Sequence, residues 1–222
     1  MNISKLNIYR NPNIGVFLFA NNKIALIPPN VSKATKKTIA ETLQVDPIET
    51  TIAGMHIIGV LVTGNDSCIL VPDIIKQEEL DELKETIEGS MKVVVITTRH
   101  TALGNLISTN NKAAYISKSF EVTVEELITK GLGIPVYRRA YLGLPIIGSM
   151  IVANDRVAFV HPMIPEQELI TISNELKVTP VHATVNEGVG FIKIGIVMNN
   201  SGILIGGSTT GPELVNITSA LA

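Results

Sequence analysis

The stretch TNNKAAYIS, Thr109 to Ser117, reads as a tight turn feeding a β-strand. Asn suits such a turn because it tolerates the positive φ that tight hairpins require. The same grammar recurs in ANNKIALIP from Ala20, GNDSCILVP from Gly64, ANDRVAFVH from Ala153 and NNSGILIGG from Asn199. Aligned on their first Asn (Asn21, Asn65, Asn110, Asn154, Asn199), the turns lie 44, 45, 44 and 45 residues apart. A fixed period of that length marks a repeat architecture.

Working outward from the turn fills in the rest of the repeat. Six residues upstream stand Gly15, Gly59, Gly104 and Gly148, each preceded by Ile or Leu, while Lys193 takes the fifth place. The apolar run after each Gly reads as a first strand, with the Gly marking close backbone approach. A second strand follows the turn and ends near Pro28, Pro72, Ser117, His161 or Gly206. Then comes a helix, clearest in KQEELDELKETI, where Leu80, Leu83 and Ile87 share one face. Similar stripes run through Val124, Leu127 and Ile128, through Leu169, Ile172 and Leu176, and through Leu214, Ile217 and Leu221. Pro165 and Pro212 suit first helical turns. Third strands are expected in DPIETTIA, MKVVVITT, IPVYRRAY and VTPVHATV.

The fifth repeat stops at Ala222, after its helix, and has no third strand. The opening residues KLNIYRNPN, conversely, read as a strand without a unit. Joining the two closes the chain into a ring and removes its exposed sheet edges. The fold class is therefore α/β (α+β): a closed, five-fold pseudosymmetric ring of ββαβ units. A single domain spans residues 1–222, with units at about 14–57, 58–102, 103–146, 147–191, and 192–222 plus 1–13.

Composition narrows the function classes. Charged residues make up 17% of the 222, the net charge is −2, and the densest basic run is KATKK at Lys33 to Lys37. A protein that tracks nucleic-acid phosphates needs a more concentrated basic surface, so a protein partner is the better first expectation. The one cysteine, Cys68, rules out an internal disulfide and fits a reducing compartment. No signal-peptide core opens the chain, and no apolar run is long enough to span a bilayer, so a soluble cytoplasmic protein is expected.

A five-fold ring of such units resembles the pentein architecture. Within it, the segments IIGVLVTGND (Ile57 to Asp66), TALGNLISTNNKAA (Thr101 to Ala114), ATVNEGVGFIKIGIVMNN (Ala183 to Asn200) and STTGPEL (Ser208 to Leu214) resemble the translation initiation factor 6 family in its archaeal form. The long C-terminal tail of the eukaryotic members is missing. The resemblance implies a factor that binds the large ribosomal subunit, mainly through a ribosomal protein on the intersubunit face near the sarcin–ricin loop, with limited direct rRNA contact. By occupying that face it blocks the small subunit, and a role in large-subunit biogenesis is implied as well. A monomer without cofactor, metal or catalytic residues is expected.

Within that resemblance, the Asn of the ALGN motif, here Asn105, belongs to the ribosomal-protein interface, with Leu103 and Gly104 beside it. Asn offers both donor and acceptor to a partner backbone. The equivalent positions hold Val16, Val60 and Ser149. Some relatives place an Arg where Val60 stands, so an ionic contact there is not expected. His56 and the pair Arg99-His100 end third strands and are candidates for the same rim. Lys193 breaks the Gly pattern and is a further candidate, with a solvated surface lysine as the simpler reading. TTGPEL reads as a loop entering a capped helix.

Pentein relatives also include guanidine-modifying enzymes with a Cys nucleophile near the C-terminus and a His. Here the only thiol, Cys68, follows the second turn, where other units hold Ile24, Ala113, Val157 and Ile203. Apolar counterparts point to a buried thiol rather than a nucleophile. The alternatives to the ribosomal reading are thus such an enzyme, or a ring-shaped binding protein with another target.

Overall fold

The computed structural model describes residues 1–221; Ala222, the last residue expected in the fifth unit, lies outside the described residues. The chain opens on β1 (Asn2–Leu6). In the first sheet β2 (Phe19–Ala20) runs antiparallel to β3 (Ala25–Ile27), and β3 runs parallel to β4 (Pro47–Glu49). The second sheet repeats this order with β5 (Thr63–Gly64), β6 (Cys68–Pro72) and β7 (Lys92–Ile96). The third comprises β8 (Ile107–Thr109), β9 (Ala114–Ser117) and β10 (Val136–Arg139). The fourth comprises β11 (Ile151–Ala153), β12 (Val157–Val160) and β13 (Thr179–His182). In the fifth, β14 (Ile196–Met198) pairs antiparallel with β15 (Gly202–Gly206), and the third strand is β1. Asn2 lies opposite Gly202 and Leu6 opposite Gly206, in parallel. The result is a closed pentein ring, sealed by the N-terminal strand.

Parallel strands need a long crossover, and a helix supplies it. The outer helices are Lys33–Leu43, Gln77–Thr86, Val122–Leu132, Glu166–Leu176 and Gly211–Ser219. They seal the seams between units. Ile39 and Leu43, both fully buried, pack with Val197 and Leu204 of the fifth sheet, and Ile128 and Leu132 pack with Cys68 and Leu70 of the second. Each buried aliphatic side chain of this kind contributes about 1.5–3 kcal/mol. Leu127 departs from its expected stripe: it is exposed, and Val124, Ile128 and Leu132 form the inner face instead. Pro165 is the N-cap of its helix rather than a residue of the first turn, whereas Pro212 does sit in the first turn.

Two corrections concern the repeat itself. The apolar run after each Gly does not begin as a strand; it makes one helical turn, Ile14–Phe17 in the first unit, before a strand of two or three residues. The turn Asn residues, moreover, do not adopt positive φ. Their side chains form the turn. Asn21 Oδ1 accepts from the N–H groups of Lys23 and Ile24 at 2.9 and 3.0 Å. Asn65, Asn110, Asn154 and Asn199 do the same with the residues two and three ahead. This is the Asx turn, a backbone turn mimicked by a side chain.

The free amide of each Asn then ties units together. Asn21 Nδ2 donates to Asn65 O at 2.9 Å, and Asn110 to Asn154 O, Asn154 to Asn199 O and Asn199 to Asn21 O, each at 3.0 Å. Asn65 Nδ2 donates instead to Leu132 O at 2.9 Å. The second turn residues make a complete circuit of their own. The N–H groups of Asn22, Asp66, Asn111, Asp155 and Asn200 each donate to the side-chain oxygen of the next residue around the ring, at 2.7–3.0 Å. One end of the five-fold axis is therefore a polar clasp.

Candidate functional site at the opposite rim

Loops from the third strands lead to the other end of the axis. There, five single helical turns meet: Ile14–Phe17, Ile58–Leu61, Leu103–Leu106, Ile147–Met150 and a 3-10 turn, Ile192–Ile194. They nest through glycine. A Cβ on Gly59 would lie 2.1 Å from Gly15 O, and one on Gly104 would lie 2.1 Å from Gly59 O. No side chain fits such a gap. Only the fifth, 3-10 turn carries a side chain at this place, that of Lys193.

The residues next in line, Val16, Val60, Asn105, Ser149 and Ile194, line one cavity of about 210 Å³ with Gly15, Ile146, Phe191 and Lys193. The structure thus brings together Val60, Asn105 and Lys193 from the sequence candidates. The Asn105 backbone N–H donates to Ala102 O at 3.0 Å, while its half-buried side-chain amide finds no hydrogen-bond partner among the described residues. Leu103 is fully buried in the core, and Gly104 lies under the backbone of Gly59. These two carry Asn105 into position and present no side chain outward.

Lys193 is not the solvated surface lysine of the simpler sequence reading. It stands on the axis, lining both the rim cavity and a smaller interior cavity of about 70 Å³ behind it. Loss of hydration there lowers its ammonium pKa to about 8. By accessible area the residue is half-buried, so water reaches part of it.

His56 and Arg99 lie outside the cavity, on the outer rim. His56 is exposed and stacks on Tyr9, ring centroids 5.8 Å apart, with Nδ1 3.2 Å from Tyr9 Oη. Tyr9 Oη donates to Pro29 O at 2.5 Å, and its ring meets the edge of Phe17. Arg99 is exposed, 3.8 Å from Glu121, and its Nε donates to His100 Nε2 at 3.4 Å. His100 packs edge-on against Phe120.

Several rim residues escape the sequence reading. KLNIYRNPN is not a strand throughout: β1 ends at Leu6, and Ile8 and Asn11 bridge across a two-residue tip. At that tip Tyr9 and Arg10 both adopt left-handed backbone, φ 52° and 63°. The equivalent tips use Gly54 and Gly143 for one of the two positions. Two bulky residues there hold local strain, a condition that clusters at functional surfaces. Tyr9, Leu142 and Leu144 also leave apolar surface in solvent, at 44, 42 and 36% exposure. Val16 and Ser149 were legible as equivalents of Asn105; Tyr9 and Arg10 carry no such signal.

Cys68 is wholly buried among Leu70, Ile116 and Ile128. Burial pushes its thiol up to about 11, so it stays protonated. Its counterpart in the fifth unit is Gly202 rather than Ile203, because the Asn199 N–H donates to Gly202 O as the Asn65 N–H does to Cys68 O. Among the described residues no group of three His, Cys, Asp or Glu is placed to hold a metal, and no helix is long and apolar enough to cross a membrane.

A family model described as eIF-6 family matches residues 3–220. The chain belongs to the eIF-6 family. Translation initiation factor 6 of Staphylothermus marinus is 42% identical, covering 100% of this chain and 98% of that one. The factor of the same name from Saccharolobus islandicus is 37% identical, and that from Pyrococcus horikoshii 35%, each covering 100% of this chain and 99% of its own. This family member is accordingly a translation factor. Among solved structures, a mutant of DDAH from Pseudomonas aeruginosa complexed with citrulline has a TM-score of 0.48 at 12% identity, over 77% of this chain and 68% of that one.

Proposed function

We propose that this eIF-6 family member binds the large ribosomal subunit through the helical-turn rim and keeps the small subunit away by its bulk. The observation that carries the reading is Asn105: a polar side chain, without a hydrogen-bond partner among the described residues, at a position that is apolar or small in the other units and opens on the rim cavity. Its main partner is a ribosomal protein on the intersubunit face near the sarcin–ricin loop, with limited contact to rRNA. The factor acts as a monomer in the cytoplasm, without cofactor or chemical step, and takes part in large-subunit biogenesis. His56, Arg99, Tyr9 and Arg10 form the outer part of the contact, and the units at about 14–57, 58–102 and 103–146 supply most of it. A standard interface of about 800 Å² per partner needs only two or three neighbouring units. A closed ring loses little conformational freedom on docking.

Co-sedimentation with purified ribosomal subunits tests this. The factor migrates with large subunits alone, and joined ribosomes decline as it is added. Migration with small subunits, or with neither, refutes the proposal and favours a ring with another target.

A further inference from the structure

The rim cavity has an unusual chemistry. Its walls are largely apolar, formed by Val16, Val60, Ile146, Phe191 and Ile194. Its polar groups are Asn105, Ser149 and Lys193, and it contains no carboxylate. The Lys193 ammonium forms no ion pair or hydrogen bond with any described residue. The turns and strands packed against its own turn, Ile14–Phe17, Ile147–Met150, β11 and β14, contain no titratable side chain. A cation with no countercharge on the elements packed against it gives up part of its hydration for nothing in exchange, and unpaired charges are costly to desolvate. An ionisable group perturbed by desolvation in a cleft is a candidate for a functional site.

We infer that this cavity receives a carboxylate-bearing side chain of the protein partner, its hydrocarbon stem against Val16, Val60 and Phe191 and its carboxylate on Lys193, with Asn105 alongside. The inference rests on the ribosomal reading above for the identity of the partner, but not for the chemistry of the pocket. The apolar walls favour an Asp or Glu side chain over a backbone phosphate, whose hydrated sugar neighbours would have to be stripped of water. A carboxylate paired with an ammonium in such surroundings is a charge-assisted hydrogen bond, stronger than a neutral one. Lys193 is then a specificity-determining residue: it admits an acidic side chain and rejects a basic one.

Two measurements test the inference, and they fail separately. The first uses the isolated protein with isotope-labelled lysine, following the Lys193 Cε resonance through a pH titration. Butanoate, a carboxylate with a short apolar tail, raises the titration midpoint of Lys193, whereas inorganic phosphate at equal ionic strength leaves it unchanged. A response to phosphate alone, or to neither, overturns the carboxylate site. The second compares Lys193→Met and Lys193→Arg in binding to purified large subunits. Lys193→Met weakens binding about tenfold, Lys193→Arg retains most of it, and the wild-type affinity falls above about pH 8 while that of Lys193→Met does not. Thermal melting of Lys193→Met, equal to or above that of the wild type, shows that the loss is not a folding defect. Unchanged binding by Lys193→Met overturns the inference. If the wild type itself does not bind large subunits, the ribosomal partner is refuted, and the butanoate response alone then decides the pocket chemistry.

Discussion

At the scale of single residues, the distinction that matters is between side chains with internal partners and side chains without. Asn105 has none among the described residues, so replacing it should barely affect folding. We expect Asn105→Ala to melt within a degree or two of the wild type, since surface changes of this kind stay within about 0.5 kcal/mol. Its co-sedimentation with large subunits should fall about tenfold; a large drop in melting temperature instead would assign Asn105 to the fold. Glu213 is the opposite case. Burial opposes its charge, yet the N–H groups of Thr210 and Gly188 and the Thr210 hydroxyl outweigh that and bring its pKa to about 2. The folded value lies below the ordinary glutamate value of 4.5. The resulting stabilisation is therefore complete above that pH and is lost as pH falls towards 2. It amounts to about 3 kcal/mol at neutral pH. Glu213→Gln should lower the melting temperature at pH 7 and flatten the acid limb between those limits; an acid limb identical to that of the wild type would show that the TTGPEL cap contributes nothing. The cap was legible in the sequence as a Thr-Gly-Pro-Glu entry to a helix, but not its reach to Gly188, which depends on a loop from the neighbouring unit.

At the scale of elements, the repeat was legible because one residue does one job five times. Each turn Asn spends its oxygen inside its own turn, and in four of the five turns its amide reaches the backbone of the next one. A side chain with both donor and acceptor is required at every repeat, and that requirement fixes the spacing. The helical turns were not legible. Sequences such as IGVF and IGSM are too short to reveal a period of 3.6, and apolar runs of that length read equally as strands. What the sequence did show was the glycine, and its reason is steric. A Cβ on Gly104 would stand 2.1 Å from Gly59 O, backbone against which nothing flexible can yield. Gly104→Ala should therefore destabilise by about 2–4 kcal/mol, as overpacking against fixed atoms does. Urea unfolding checks this, and a loss below about 0.5 kcal/mol would mean that the turns are not nested as described. The depth of Lys193 was not legible for a related reason: it follows from the closure of the ring around it, which no local pattern encodes.

For the whole molecule, the decisive contact joins opposite ends of the chain. β1 covers the open edge of β15 across the register Asn2–Gly202 to Leu6–Gly206, and the helix Lys33–Leu43 packs over both strands. Deleting residues 1–6 exposes the backbone of β15 as an unpaired edge, which invites association with other chains. The truncated protein should be recovered mainly as oligomers or aggregates on size exclusion, with a melting temperature lowered by more than 10 °C; a monomer of unchanged stability would mean that the ring holds without its closing strand. The tip at Tyr9 and Arg10 would lose its anchor in the same variant, so the rim and the clasp are coupled through one short segment.

That closing strand also sets an order of events during synthesis. Asn2–Leu6 is translated about 200 residues ahead of the partner it needs, Gly202–Gly206. Nascent chains tend to fold from the front as they emerge, but here the earlier strand must wait for the later one. Until then β1 has no sheet to join and the ring cannot close. On the ribosomal reading proposed above, a nascent copy would be incapable of docking on the particle that is making it, and competence would come only when the two distant strands have met.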